Sequence, residues 1–351
     1  MKNIFKNKRV LITGNTGFKG SWLTLWMNYL GAKVLGISLE YSSKPSNFEV
    51  LKLKSKISHK KIDIRKFKEL NKEIKKYKPD FIFHLAAEAI VQRAYKDPKN
   101  VWETNTLGTV NILESLKNLN KKVIVVIITS DKVYKNLEIR RGYKENDILG
   151  GYDPYSASKA SADLAAQSYF QTFFKFNKNI SICIARAGNV IGGGDWSEGR
   201  IIPDCIKSWS QGKKAIIRNP NSTRPWQHVL DVLNGYIILA AKLKSNKKLN
   251  GEVFNFGPKI EKNSEVINLV KVMQKRWGNV KWKILNKKKF PESKLLHLNS
   301  KKAKKNLNWN CKLNLKNSIF YTTDWYKEYY CNKKNIFNYS IMQIKKFENL
   351  I

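Results

Sequence analysis

An α/β fold, with a doubly wound parallel sheet followed by a smaller C-terminal α/β lobe, is what this sequence predicts, and three observations carry it. Short β-branched runs alternate with longer helical patterns through the first two-thirds of the chain. Several of these runs are almost wholly apolar, as strands covered by helices on both faces must be. After about Arg186 the pattern changes to Gly, Pro and Asn punctuation with shorter elements and an aromatic-rich tail.

The expected strands are Arg9 to Thr13, Lys33 to Ser38, Lys60 to Asp63, Phe81 to Leu85, Lys122 to Thr129 and Ile180 to Arg186. Between them the apolar spacing predicts helices over Trp22 to Leu30, Ile64 to Tyr77, Pro98 to Leu116 and Ser156 to Phe174. Residues 1–186 thus read as the doubly wound unit, and 187–330 as the smaller second lobe. Segments around 230–256, a helix over Leu230 to Leu243 and a strand over Val253 to Phe256, are expected to return to the first unit. Residues 331–351 read as a peripheral extension.

Charge at first suggests a nucleic-acid partner, because the formal net charge is +39. Distribution argues otherwise. Only ten of the 66 basic residues are Arg, and the lysines are scattered through nearly every stretch rather than gathered with aromatics on one element. A Lys-rich solvated surface is the simpler reading, with weak polyanion binding at low salt and attraction of an anionic substrate left open. Cys183, Cys205, Cys311 and Cys331 are far apart, with no CxxC pair and no His at metal-ligand spacing, so neither a metal site nor a disulfide framework is indicated. No run is long enough for a membrane span and no leader pattern precedes the first strand, which predicts a cytoplasmic protein.

The first strand runs into Gly14-Asn15-Thr16-Gly17-Phe18-Lys19-Gly20 and then a helix. Glycines at this spacing permit a tight turn and let a pyrophosphate approach the backbone, while the helix N-terminus offers free N–H groups. The bland alternative is a glycine turn required by packing alone. An acid for the adenine ribose belongs at the end of the second strand, about 20 residues onward. Ser38 stands there, Glu40 two residues later, and no Arg waits for a 2′-phosphate, so NAD is favoured over NADP. Asp63 and Ile64 are placed to face the adenine, and Leu85, Ala86 and Ala87 supply small residues where the backbone must pass close to the cofactor.

Tyr155-Ser156-Ala157-Ser158-Lys159 puts a phenol and an ammonium on one face of a helix. A neighbouring cation lowers a phenol's pKa, so Tyr155 can take a proton from a hydroxyl while hydride leaves the same carbon. An ordinary surface i,i+4 pair is the alternative. The fifth strand ends in Thr129-Ser130-Asp131-Lys132, with Thr129 assigned to the cofactor side. Ser130 suffices to bond a reacting oxygen, whereas Asp131 and Lys132 add the acid and base that an elimination needs.

With these motifs the chain resembles the extended short-chain dehydrogenase/reductase superfamily, over roughly Arg9 to Trp325. The likeness extends to the small residues after strand four and to Thr104-Asn105, which adds Thr104 to the cofactor contacts. It implies a Rossmann-like fold, bound NAD and a homodimer, or a higher homo-oligomer, built on helices Pro98 to Leu116 and Ser156 to Phe174.

Asp followed by Lys is similar to CDP-glucose 4,6-dehydratases and to inverting UDP-N-acetylglucosamine dehydratases, whereas dTDP-glucose enzymes have Asp followed by Glu. Three segments resemble the CDP-glucose 4,6-dehydratase family in particular: Arg186 to Asp204, Ile217 to Pro220, and Arg224 to Val229. In them Asn189, Arg200, Arg218, Arg224 and His228 can hold a pyrophosphate and a nucleotide through charge-assisted bonds. The likeness implies conversion of CDP-glucose to CDP-4-dehydro-6-deoxyglucose, for a surface polysaccharide such as an O-antigen. Glu88, Gly199 and Asn299 depart from that family's pattern. A dehydratase or epimerase for another nucleotide hexose, and a non-catalytic NAD-binding scaffold, are the alternatives.

Overall fold

The computed structural model describes residues 2–41, 43–259, 265–285, 296–332 and 335–351. Parallel strands β1 (Arg9–Thr13), β2 (Lys33–Ser38), β3 (Ser58–Lys61), β4 (Phe81–His84), β5 (Val123–Ile128) and β6 (Ile180–Ala187) make up most of one sheet. Next come the short β7 (Val190–Ile191), β8 (Ala215–Ile217) and β9 (Gln227–His228), then β10 (Val253–Phe256) and β11 (Trp282–Ile284). The main sheet has seven strands in the order β10-β6-β5-β4-β1-β2-β3, and β10 lies parallel to β6. Strand order reverses beside β1, whose neighbours are β2 and β4, so a crevice opens beyond the carboxyl ends of β1 and β4. This is the Rossmann-like α/β architecture expected.

Successive strand residues point to opposite faces, and the core divides accordingly. Val10, Ile12, Phe81 and Phe83 pack on one face against Trp22 and Trp26 of the Phe18–Tyr29 helix and Leu230 and Leu233 of the Val229–Ser245 helix. Leu11, Leu35, Ile82 and Val125 face the other side, where Leu70 and Ile74 of the Phe67–Tyr77 helix meet Ile112 and Leu116 of the Gly108–Lys117 helix. Both faces are covered, which explains the nearly unbroken apolar runs in β4 and β5.

The second unit is built from two small parallel pairs, β8 with β11 and β7 with β9. The C-terminal stretch contains a helix, Ile336–Glu348, whose Ile344 and Phe347 are fully buried. Trp26 donates from Nε1 to Glu348 at 3.0 Å, and its ring meets that of Phe347 edge-on. Among the described residues no helix is long and apolar enough to cross a membrane.

Three elements differ from expectation, one of them the helix expected over Ser156 to Phe174, which runs over Pro154–Tyr169 and ends in a π turn, Phe170–Phe174. Strand β3 ends at Lys61, two residues short of Asp63, because it is an edge strand beside β2, and only the Ile62 N–H continues the ladder, to Ser38. The helix expected from Pro98 is broken by a π turn, Glu103–Leu107, between Pro98–Trp102 and Gly108–Lys117. That extra residue per turn swings Asn105 fully inward, where its Nδ2 donates to Glu88 O at 3.1 Å and to Ser158 Oγ at 2.9 Å, and its Oδ1 accepts from Glu88 N.

One charged pair joins the helix Pro154–Tyr169 to the sheet. Arg186 on β6 is completely buried and grips Asp163 of that helix through Nε and NH2, at 2.8 and 2.7 Å. Its NH1 donates to Tyr134 Oη and to Glu145 O, while Asp163 also accepts from Thr129 and Gln167. Tyr134 in turn donates to Asn255 on β10. Arg186→Met leaves Asp163 uncompensated and should lower the unfolding free energy by about 3–5 kcal/mol in a urea titration, with partial recovery when Asp163→Leu is added. A loss of less than about 1 kcal/mol would show that the network carries little.

Candidate active site

The glycine turn is held in shape by close packing. Gly14 has a φ of +74°, and a Cβ there would stand 2.7 Å from Ala86 N. A Cβ on Gly20 would lie 2.0 Å from Gly14 O, whereas at Gly17 nothing but Gly14 O comes within 4 Å, at 3.4 Å. No side chain caps the helix that begins after Gly17, so its first N–H groups face an open site. This cradle fits a dinucleotide pyrophosphate.

Ser38 has another use from the one expected at its position. Its hydroxyl donates to Asn15 Oδ1 at 2.9 Å and accepts from Thr16 N at 3.3 Å, and so braces the turn. Glu40, further out, pairs with exposed Lys61. For Asp63, burial pushes the carboxyl up, but the hydrogen bonds and charge of Arg65 outweigh it and hold the group below its ordinary value. Ile64 is buried beneath Gly108, and Leu85, Ala86 and Ala87 are half-buried along the crevice. Thr104 lies half-buried in the π turn, and Thr129 spends its hydroxyl on Asp163 at 2.9 Å.

Beyond the sheet a cavity of about 380 Å³ gathers Phe18 and Lys19 from the turn, Ser130, Asp131 and Lys132 from the end of β5, and Tyr155. Asn189, Arg200, Arg218 and Arg224 line the same cavity from the second unit. Asp153 caps the helix that carries Tyr155 by accepting from Ser156 N at 3.0 Å, with Pro154 at its first position. One turn on, Lys159 is buried and donates from Nζ to Ile128 O at 3.0 Å.

Burial governs the electrostatics. It pushes Tyr155 up to about 12, against the Ser130 hydroxyl, so in the protein itself the neighbouring cations do not bring the phenol down. Lys159 is brought down to about 7 by burial and by Lys19, with Asp163 opposing. Lys19 falls to about 8 through burial and Arg200, with Asp131 opposing. Asp131 is raised by burial, against Lys132, Ser130 and Lys19. Ser130 donates to Asp131 Oδ1 at 2.9 Å, while Oδ2 is buried without a partner. A Cβ at Gly188 would lie 2.3 Å from that Oδ2, so glycine makes room for the carboxylate.

His228 is not part of the cavity. It is fully buried, its Nδ1 caps the Val229–Ser245 helix by accepting from Leu230 N, and burial lowers it to about 3. Asp195, which binds Arg200 at 2.7 Å, belongs to the site and went unassigned, although its glycine-rich segment was legible. Gln92 and Trp226 also line the cavity; Trp226 lies in the Arg224 to Val229 segment, whereas no local pattern marks Gln92. Glu88 does not line it; its carboxylate accepts from Ile90 N and approaches Arg93. Gly192, Gly193 and Gly194 are wedged in place: a Cβ would lie 2.6 Å from Val229, 2.1 Å from Trp325 and 2.2 Å from Asn47, respectively.

Comparison with known proteins follows the same outline. Residues 11–320 match a family model described as GDP-mannose 4,6 dehydratase. The chain is similar to the CDP-glucose 4,6-dehydratase of Salmonella typhimurium, 40% identical over 96% of this chain and 98% of that one. It is 30% identical to a dTDP-D-glucose 4,6-dehydratase of Dictyostelium discoideum over 72% of this chain and 59% of the relative. Among solved structures, the dTDP-glucose 4,6-dehydratase of Bacillus anthracis in complex with NAD superposes with a TM-score of 0.76 at 25% identity, covering 92% of this chain and 97% of that one. The epimerase Mth375 of Methanothermobacter thermautotrophicus shares the fold, with a TM-score of 0.80 at 23% identity over 93% and 94% of the two chains. The chain belongs to the GDP-mannose 4,6-dehydratase family and is a relative of the Salmonella CDP-glucose 4,6-dehydratase.

Proposed function

We propose that the protein is an NAD-dependent nucleotide-sugar 4,6-dehydratase, a hydro-lyase that converts CDP-glucose to CDP-4-dehydro-6-deoxyglucose and water. The observation that carries this reading is that Tyr155 and Lys132 line one cavity with an Asp131 carboxyl that has one buried, unpartnered oxygen. A simple hydroxyl oxidation needs no such acid. The Gly14–Gly20 turn, with Thr16, Phe18 and Lys19, holds the cofactor pyrophosphate, and Leu85, Ala86, Ala87 and Thr104 border the rest of it. A bound NAD would supply there the acceptance of hydride from the sugar C4 and its return to C6.

The chain's own residues then have distinct tasks. Tyr155, with Lys159 one turn on along the same helix and Ser130 lining the same cavity, takes the C4 hydroxyl proton. The resulting ketone acidifies the C5 proton, which Lys132 removes as base. Asp131 protonates the departing C6 hydroxyl, and burial, which raises its carboxyl, favours the protonated form an acid needs. Arg200, Arg218 and Arg224, with Asn189, hold the diphosphate and nucleotide. Likeness to the Salmonella enzyme, over nearly the whole of both chains, supports cytidine and glucose. We also infer a cytoplasmic homodimer: Trp102, Leu107, Leu164 and Phe173 expose apolar side chains on the helices expected to pair.

Incubation with CDP-, dTDP-, UDP- and GDP-linked sugars should produce a 4-keto chromophore with CDP-glucose alone, and a stronger response to UDP-N-acetylglucosamine would overturn the substrate assignment. Lys132→Ala should cut solvent deuterium incorporation at C5 by about 10²-fold or more while sparing substrate affinity; unchanged exchange would remove Lys132 as the base. Sedimentation should report a dimer, and Leu107→Glu with Leu164→Glu should dissociate it. A monomeric parent chain would refute the pairing.

A further inference from the structure

His84, the last residue of β4, is a buried titratable group for which the dehydration has no step. Both of its ring nitrogens are engaged. Nδ1 lies 2.7 Å from Thr13 Oγ1, and Nε2 lies 3.0 Å from Thr109 Oγ1. The Thr109 hydroxyl spends its one proton on Asn105 O at 2.7 Å, so toward the ring it can only accept, and Nε2 must carry the ring proton. Nδ1 is then an acceptor. The Thr13 hydroxyl donates to it, and Thr13 Oγ1 accepts in turn from Ala86 N at 3.2 Å. Only this tautomer satisfies the whole chain. Burial, and after it the charge of Lys159, push the imidazole down to about 3, so near neutral pH the ring is uncharged and keeps that tautomer.

The two arms end at different machinery. Toward Thr13 the chain fixes the backbone of Ala86, against which Gly14 is packed so closely that a Cβ there would lie 2.7 Å from Ala86 N. These segments are the wall and the turn assigned to the cofactor. Toward Thr109 the chain fixes the carbonyl of Asn105 within the π turn. Asn105 donates to Ser158 Oγ at 2.9 Å, the Ser158 hydroxyl donates to Tyr155 O at 2.8 Å, and Thr106 Oγ1 donates to Ser158 O at 3.1 Å. Thr13, His84, Asn105, Thr109 and Ser158 are all buried, so a lost link leaves a polar group unsatisfied rather than hydrated.

We propose that His84 is a positioning residue with two separable duties: through Nδ1 and Thr13 it holds the cofactor wall, and through Nε2 and Thr109 it holds the turn that seats the helix of Tyr155. His84 does not line the cavity itself. The second duty rests on the dehydratase reading above, which gives the phenol its task. A neutral imidazole accepts at one edge and donates at the other, and no amide side chain reaches both places. Asparagine sets its Oδ1 where Nδ1 stands, glutamine sets its Nε2 where the ring Nε2 stands, and neither alters the charge.

His84→Gln and His84→Asn therefore divide the duties, read by calorimetric titration with NAD and by turnover of CDP-glucose at saturating NAD. His84→Gln should weaken NAD binding about 10-fold, as expected for a buried hydroxyl left unpaired, and hold kcat within about 2-fold of wild type. His84→Asn should do the reverse, with kcat down about 10-fold and NAD affinity within about 2-fold. Thr13→Val should reproduce the glutamine pattern and Thr109→Val the asparagine pattern; these near-isosteric changes decide the matter should a ring substitution fail to fold. Affinity and kcat falling together in every variant, in step with a lower unfolding midpoint, would overturn the separable duties, and so would no change in either. Wild-type protein that makes no 4-keto product from any nucleotide sugar would bring down the dehydratase reading instead, and the NAD affinities would still accept or reject the arm through Thr13.

Discussion

The buried pair between Arg186 and Asp163 is the interaction on which the rest of this molecule depends. A guanidinium and a carboxylate taken out of water are costly unless every donor and acceptor finds a partner. Here Arg186 reaches Asp163, Tyr134 and Glu145, and Asp163 is further bonded by Thr129 and Gln167. The partners come from the ends of β5 and β6, the loop after β5 and the helix bearing Tyr155 and Lys159. A satisfied ionic cluster tolerates little displacement, so these elements keep one mutual register. The candidate acid, Asp131, just beyond the end of β5, is thereby held in register with the helix that carries the phenol.

Charge is treated very differently inside and outside. Most of the surplus of basic residues is solvated lysine, and Lys159 is the one buried lysine among the described residues. Around the cavity a few further cations, Lys19, Lys132 and Arg200, surround a carboxylate whose burial opposes ionisation. Arg200 is itself neutralised by Asp195. The balance of desolvation against nearby positive charge, rather than the overall charge, decides which groups carry protons there.

Much of this was legible in the sequence because it depends on local rules. Glycines 14 and 20 are required by contacts that admit no Cβ, strands β1 and β10 show their bounds through apolar runs, and a phenol and ammonium four residues apart must share a helix face. What escaped depends on tertiary partners. His228 looks like a ligand-binding residue until its helix is seen to need a cap, and Ser38 looks like a missing acid until Asn15 and Thr16 are seen to need its hydroxyl. The π turn at Glu103–Leu107 has no mark in helical periodicity, because its cause is the buried demand of Glu88 and Ser158 for Asn105. Gln92 reaches the cavity from a separate helix, and nothing in its neighbourhood signals that.

The three glycines at 192–194 behave like a weld between parts that otherwise belong to different units. Each is filled from a different direction, by Val229, by Trp325 and by Asn47, and Trp22 adds a hydrogen bond from Nε1 to Gly193 O at 2.8 Å. Laboratory evolution aimed at a new sugar therefore has little to gain along this seam, where any added atom forces two layers apart. Variation has freer play at Gln92 and Asn219, where side chains border open volume. A library confined to those positions would search specificity without spending its members on unfolded protein.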